Sequence, residues 1–177
     1  MSDAYNLRIY SSSTMGATPS LTPELDQVQY KIYSDLAEIR GLSQQWENLV
    51  ATSPCNKAFA SLEWYIATYY IDGSAEPYVI AAVRGSEMAG ILPLVLDRET
   101  GEAMFPDYGS DYNDVLLRVE NPALGADLLR YAISVETPCR HLQLSKLRPD
   151  SNCLAALHLL KDEPGIECRF SEMDACS

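Results

Sequence analysis

Residues 88–117, MAGILPLVLDRETGEAMFPDYGSDYNDVLL, decide how this chain is read. Gly90-Ile91-Leu92-Pro93-Leu94-Val95-Leu96 is an apolar strand with a proline inside it. Proline has no N–H to give a ladder, so it belongs at a sheet edge, a strand start or a bulge. An apolar strand that must drop a pairing locally is expected beside a cleft. Glu99-Thr100-Gly101-Glu102 turns the chain into Ala103-Met104-Phe105. The next segment, Asp107-Tyr108-Gly109-Ser110-Asp111-Tyr112-Asn113-Asp114, packs three carboxylates and two phenols into eight residues. It is expected to form the lip of a site.

Outward from this stretch the elements follow from periodicity. Tyr78-Val79-Ile80-Ala81-Ala82-Val83 is apolar on both faces, which predicts a central strand. Arg84-Gly85-Ser86-Glu87 turns it into the Pro93 strand, so three strands form an antiparallel meander. Val28–Tyr33 alternates at period two and reads as the first strand. Ser34 is expected to cap a helix whose Leu36, Ile39, Leu42, Trp46, Leu49 and Val50 share a face. A second helix runs from Ser61 to Ile71 and is apolar on almost every side, which predicts burial or cover by another subunit. Downstream come a short strand at Val115–Leu117, a helix opened by Pro122, and a strand at His141–Leu147. A helix at Leu154–Leu160, capped by Asp150 or Ser151, and a strand at Ile166–Phe170 complete the order. The order predicts an α/β (α+β) domain over residues 28–177, with a mixed, mostly antiparallel central sheet flanked by helices. Residues 1–27 carry Ser, Thr and Pro without sustained periodicity and are expected to be a disordered tail.

The chain carries 25 acidic against 13 basic side chains, a net charge of −12. Such a surface repels phosphate backbones and anionic lipid, which argues against nucleic acid and membrane as partners. It is equally unfavourable to coenzyme A. The five cysteines are odd in number, widely spaced and without C-x-x-C, and no apolar leader opens the sequence. Reduced thiols in a cytoplasmic protein fit that pattern. Neither His141 nor His158 stands at ligand spacing to a cysteine, so no metal is expected, and no apolar run reaches the length of a membrane span.

The motifs G-I-L-P-L at 90–94, Thr100-Gly101 in a hairpin, and Y-G-S-D-Y-x-D at 108–114 occur in an order that resembles the GNAT-like acyltransferases of the cellulose-biosynthesis (CelD-type) family. Ala58-Phe59-Ala60-Ser61-Leu62-Glu63-Trp64, after a helix with Trp46 and Leu49, fits the same family, as does the helix, strand, helix, strand succession from Pro122 to Met173. The resemblance spans residues 28 to 174. It implies an acyl-CoA-dependent N-acyltransferase built from two GNAT-like halves and acting in polysaccharide or envelope metabolism. The match is to the N-terminal half alone. That half would shape the cleft for a small-molecule or glycan-linked amine acceptor, and the missing C-terminal half would bind acetyl-CoA or another acyl-CoA. The family's phosphate loop, Q/R-x-x-G-x-G/A, is absent. Its nearest counterpart, Pro122-Ala123-Leu124-Gly125-Ala126-Asp127, has a proline at its head and a repelling aspartate at its end. No residue here is therefore assigned to the cofactor, and the fragment alone is expected to be inactive.

Within the tyrosine- and aspartate-rich segment, Asp111 and Asp114 are the candidate catalytic groups. A carboxylate can deprotonate an amine only if burial or a neighbouring carboxylate raises its pKa. Tyr108, Tyr112 and Asn113 are the candidate substrate-binding residues. The same residues also suit a solvated loop of Asx turns. Trp64, Tyr65, Tyr69 and Tyr70 read as core packing or as an aromatic wall. His141, His158, Cys153 and Cys168 read as structural, and Lys146-Leu147-Arg148 is the one basic spot near a helix start. The rival to the transferase reading is a non-catalytic module that binds another protein through an edge strand or the 61–71 helix.

Overall fold

The computed structural model describes residues 5–11, 27–54, 59–72, 75–106, 108–134 and 136–172. Its strands are β1 (Tyr5–Ser11), β2 (Val28–Tyr33), β3 (Glu76–Arg84), β4 (Glu87–Asp97), β5 (Glu102–Met104), β6 (Leu116–Leu117), β7 (His141–Leu147) and β8 (Ile166–Glu172). Its helices are α1 (Leu36–Gly41), α2 (Ser43–Thr52), α3 (Leu62–Asp72), α4 (Pro122–Ala132) and α5 (Asn152–Leu160). The strands form one sheet in the order β2-β3-β4-β5-β7-β1-β8, with β6 also paired to β4. Every pairing is antiparallel except β5 with β7. The mixed, mostly antiparallel sheet flanked by helices is the architecture expected from the sequence.

Both faces of the sheet are covered. On one face α4 and α5 pack Leu124, Leu128, Leu129, Ala156 and Leu157 against Tyr78, Ile80, Leu92 and Leu94. On the other, Ile39, Trp46, Leu49, Leu62 and Tyr65 of α1–α3 meet Val79, Ala81, Ile91 and Val95. This two-sided cover explains why residues 77–82 of β3 are buried without a break. Gly90 admits the close approach of β6: a Cβ there would lie 2.9 Å from Leu117 Cδ2 and 3.3 Å from Leu116 O.

The tail expected over residues 1–27 is corrected at residues 5–11, which form β1 between β7 and β8. Leu7 and Ile9 are buried at 1% and 0% exposure while Arg8 is exposed, a period-two pattern hidden by its short length and polar surroundings. The remainder of that stretch lies outside the described residues, apart from Gln27. The first helix is two helices meeting at Leu42, and its cap is Asp35 rather than Ser34, with Oδ1 accepting from Ala37 N and Glu38 N. The α3 helix is not buried all round, since Tyr70 and Ile71 near its end are 59% and 55% exposed.

β7 carries a bulge opposite β1. Tyr5 pairs with Leu147 and Leu7 with Leu144, so one residue of β7 is extra, and Lys146 takes φ 57° there. The loop from β5 to β6 docks on this bulge, with Asn113 N donating to Lys146 O at 3.2 Å. Lys146 Nζ reaches back to Ser110 O at 2.9 Å.

Candidate functional site: a break in the sheet beside Pro93

The site begins with backbone bookkeeping along β4. Asp97 O accepts from Gly101 N at 2.8 Å, so Asp97 faces β5. The alternation of an extended strand, regular here, turns Val95 and Pro93 to the same flank. Pairing with β5 stops at Val95↔Met104 and pairing with β6 resumes at Ile91↔Leu116. Four steps along β4 thus face twelve steps along the other strand, an excess of eight, and residues 105–115 leave the ladder. Pro93 falls in the gap. Carried two residues beyond Met104, the register sets Pro106 opposite Pro93, and neither proline has an N–H to donate. The ladder ends where both continuing residues lack a donor.

The gap opens into a cavity of about 510 Å³. Its apolar wall is built by Trp46, Phe59, Trp64, Tyr65, Pro93, Phe105 and Pro106. Hydrogen bonds hold that wall in place. Trp46 Nε1 donates to Ala60 O at 2.8 Å, and the buried Tyr65 hydroxyl donates to Leu94 O at 2.8 Å. Phe59 and Trp64 meet edge to face with centroids 5.0 Å apart. Burial pushes the Tyr65 phenol well above its ordinary range, so it stays protonated.

The polar wall centres on Asp114. Its Oδ1 accepts from Val115 N at 2.9 Å and Cys153 N at 2.8 Å, and its Oδ2 from Asn152 N at 2.9 Å. Burial raises this carboxyl to about 6 against the downward pull of those N–H groups. Ser151 Oγ accepts from Leu154 N at 3.2 Å and Ser151 O from Ala155 N at 3.2 Å. The first N–H groups of α5 are all engaged by the chain itself. At the rim, Arg148 holds Asp150 through two bonds of 2.8 and 3.1 Å and lies 5.1 Å from the Tyr112 ring centroid.

These residues do not fit the phosphates of coenzyme A. A pyrophosphate needs free N–H groups at a helix start. At α5 they belong to Asp114 and Ser151. At α4, Pro122 has no N–H, Asn121 Oδ1 takes Leu124 N at 3.1 Å and Asn121 O takes Gly125 N at 3.1 Å, which leaves the single N–H of Ala123, fewer than a pyrophosphate needs. Arg148, the basic residue of the lining, is paired with Asp150.

Of the residues singled out by sequence, Tyr112, Asn113 and Asp114 line the cavity. Tyr108 is 64% exposed, and Tyr108 and Asp111 stand outside the described lining. Asp111 is exposed and takes no part in the cage around Asp114. Asn113 is committed to β7, with Nδ2 3.4 Å from Ser145 O. Trp64 and Tyr65 belong to the wall, whereas Tyr69 is half-buried against the core and Tyr70 is exposed. His141 Nε2 lies 2.7 Å from Glu102 Oε2, and its ring stacks on Tyr10 at 5.5 Å, away from the cavity. Phe105 and Pro106 were not singled out from the sequence. The signal was available, because counting back from the Thr100-Gly101 turn sets Pro106 against Pro93. Among the described residues no group of His, Cys, Asp and Glu could hold a metal ion, and no helix is long and apolar enough to cross a membrane.

The sequence matches no protein-family model and no curated protein. Among solved structures the chain is similar to a tandem GNAT protein from the clavulanic acid biosynthesis pathway (without AcCoA), at 12% identity and a TM-score of 0.49. That similarity covers 99% of this chain and 55% of the other, so the chain spans about half the length of the protein it matches.

Proposed function

We propose that the chain is the acceptor-side, N-terminal half of a GNAT-like acyl-CoA-dependent N-acyltransferase, working in the cytoplasm on an amine of polysaccharide or envelope metabolism. The observation that carries the reading is the cavity at the Pro93–Pro106 break. It joins an aromatic wall to a buried carboxylate, and the N–H groups that open α5 beside it are taken by Asp114 and Ser151. Such a cleft suits an acceptor, and it leaves the acyl donor to a second half. Asp114, Tyr112 and Asn113 are the residues of the earlier set that stand where an acceptor would bind. Isothermal titration tests this directly. Acetyl-CoA gives no binding heat with these 177 residues, whereas a longer natural chain carrying a second half binds it and transfers the acyl group. Tight coenzyme A binding by the 177-residue chain, on its own main-chain amides, would overturn the proposal.

A second reading, a non-catalytic module that binds another protein, is favoured by the exposure of Tyr70 and Ile71 at the end of α3. Absence of acyl transfer by the full-length natural protein would decide for it.

A further inference from the structure

We propose that the indole N–H of Trp64 is the recognition point of the cavity, and that it takes the oxygen of an uncharged carbonyl, an amide or a ketone, carried on a flat apolar body. The assignment rests on the reading of this cavity as an acceptor cleft. It deepens that reading by naming the feature, other than the amine, through which the cleft holds its substrate.

The chain has two tryptophans, and both stand in the wall of the cavity. Their donors differ. Trp46 Nε1 donates to Ala60 O at 2.8 Å, whereas Trp64 Nε1 is buried and no oxygen of the described residues accepts from it. The wall's own acceptors are engaged elsewhere. Ala60 O serves Trp46, Leu94 O takes the Tyr65 hydroxyl at 2.8 Å, and Ser61 Oγ takes the main-chain N–H of Trp64 itself at 3.1 Å. Both oxygens of Asp114 are held by main-chain N–H groups. A buried donor left unmet is costly, and a ligand oxygen relieves it. Trp64 as a whole is only half-buried and borders about 510 Å³ of space, so a small turn of its ring carries the N–H to an oxygen bound there.

The lining decides what kind of oxygen this is. Of its four charged residues, Asp114, Glu120 and Asp150 are acidic, and the fourth, Arg148, is engaged by Asp150. A carboxylate or phosphate would meet like charge with no uncommitted cation in the lining to balance it. An ammonium group has no lone pair to offer the indole. A hydroxyl would bring a donor of its own to a wall whose acceptors are already engaged. A carbonyl accepts only, and its planar group lies flat against Phe59, Phe105 and Pro93.

The test uses acetophenone, benzylammonium and benzoate, three probes with one ring and a small head group. Each is titrated by NMR against the chain carrying isotope-labelled tryptophans, whose two indole signals are assigned through the backbone. Acetophenone binds tightest and benzoate weakest, about tenfold apart in Kd. Acetophenone moves the Trp64 indole proton downfield; benzylammonium, with the same ring and no acceptor, does not. Trp64→Phe weakens acetophenone about fivefold and leaves benzylammonium unchanged, with the Trp46 signal reporting that the variant is folded. The proton shift is read on the natural chain and needs no variant. Benzoate or benzylammonium binding as tightly as acetophenone overturns the inference and leaves the cleft reading standing. So does a Trp64 proton that acetophenone does not move downfield. An equal loss of both probes in a folded Trp64→Phe protein overturns it too, by making Trp64 a stacking surface alone. No binding by any probe overturns the inference and the cleft reading together.

Discussion

The carboxylate of Asp114 sits on the first turn of α5, its Oδ1 accepting from Cys153 N at 2.8 Å. With Val115 N and Asn152 N, at 2.9 Å each, it ties the looped-out segment before β6 to a helix 38 residues away in sequence. Removing the carboxylate strands buried donors, at roughly 1–3 kcal/mol for each group left unpaired. Asp114→Ala is therefore expected to lower stability by about 2–4 kcal/mol in urea unfolding. A loss under about 0.5 kcal/mol, the range of surface changes, would remove Asp114 from its structural role.

The same group sets a pH dependence of known sign. Its pKa is raised from 3.8 to about 6 on folding, so the native state holds the proton more tightly than the unfolded chain. The stability that this bound proton contributes is full below pH about 4 and is lost as pH rises through about 6, a change of about 3 kcal/mol. Compared with Asp114→Asn, the natural protein is expected to lose stability between those limits. Urea midpoints for both proteins at half-unit pH steps measure it, and a constant difference would refute it.

β1 belongs to the core of the sheet. Ile9, at 0% exposure, packs in the cluster beneath α4 and α5, and its truncation to Ala is expected to cost about 2–4 kcal/mol. Arg8, one residue earlier and exposed, bonds to Gln143 Oε1 at 2.7 Å, and Arg8→Ala is expected to change stability by no more than about 0.5 kcal/mol. Equal effects in chemical denaturation would argue against the strand.

Tyr65→Phe removes one oxygen from the wall of the break. The Leu94 carbonyl loses a bond of 2.8 Å while the ring and its contact with Trp46, 5.6 Å between centroids, remain. The expected loss is about 1–2 kcal/mol, read as a lower melting temperature with unchanged near-ultraviolet circular dichroism.

Lys146 holds φ 57° at the β7 bulge, a conformation that glycine takes freely and β-branched residues resist. Lys146→Val is expected to destabilise by more than Lys146→Gly, by about 1 kcal/mol or more. The reverse order, measured by thermal unfolding, would show that the lysine side chain outweighs the backbone.

Much of the fold is legible in the sequence because periodicity survives wherever one side of an element is buried. Tyr78–Val83, the Pro93 strand and the Pro122 helix all stand as their patterns predict. β1 escaped because a seven-residue strand among serines carries only Leu7 and Ile9 as buried markers within the core. Pro93 marked the cleft correctly, but a single proline does not say which flank is empty; that needed the register to Pro106. The cluster at 107–114 divides for a similar reason. Composition put its acidic groups together, whereas the partner of Asp114 is the start of α5, which no local pattern reveals. Asp107 lies outside the described residues.

The lodging of β1 between β7 and β8 also imposes an order of events on biosynthesis. β1 must wait for neighbours made some 130 residues later, from His141 onward, and Tyr5 ends opposite Glu172. At about 5–20 residues per second, that wait lasts several seconds to about half a minute. Throughout it, Leu7 and Ile9 lack the sheet neighbours that bury them, and β1, β7 and β8 join only once Glu172 has been made.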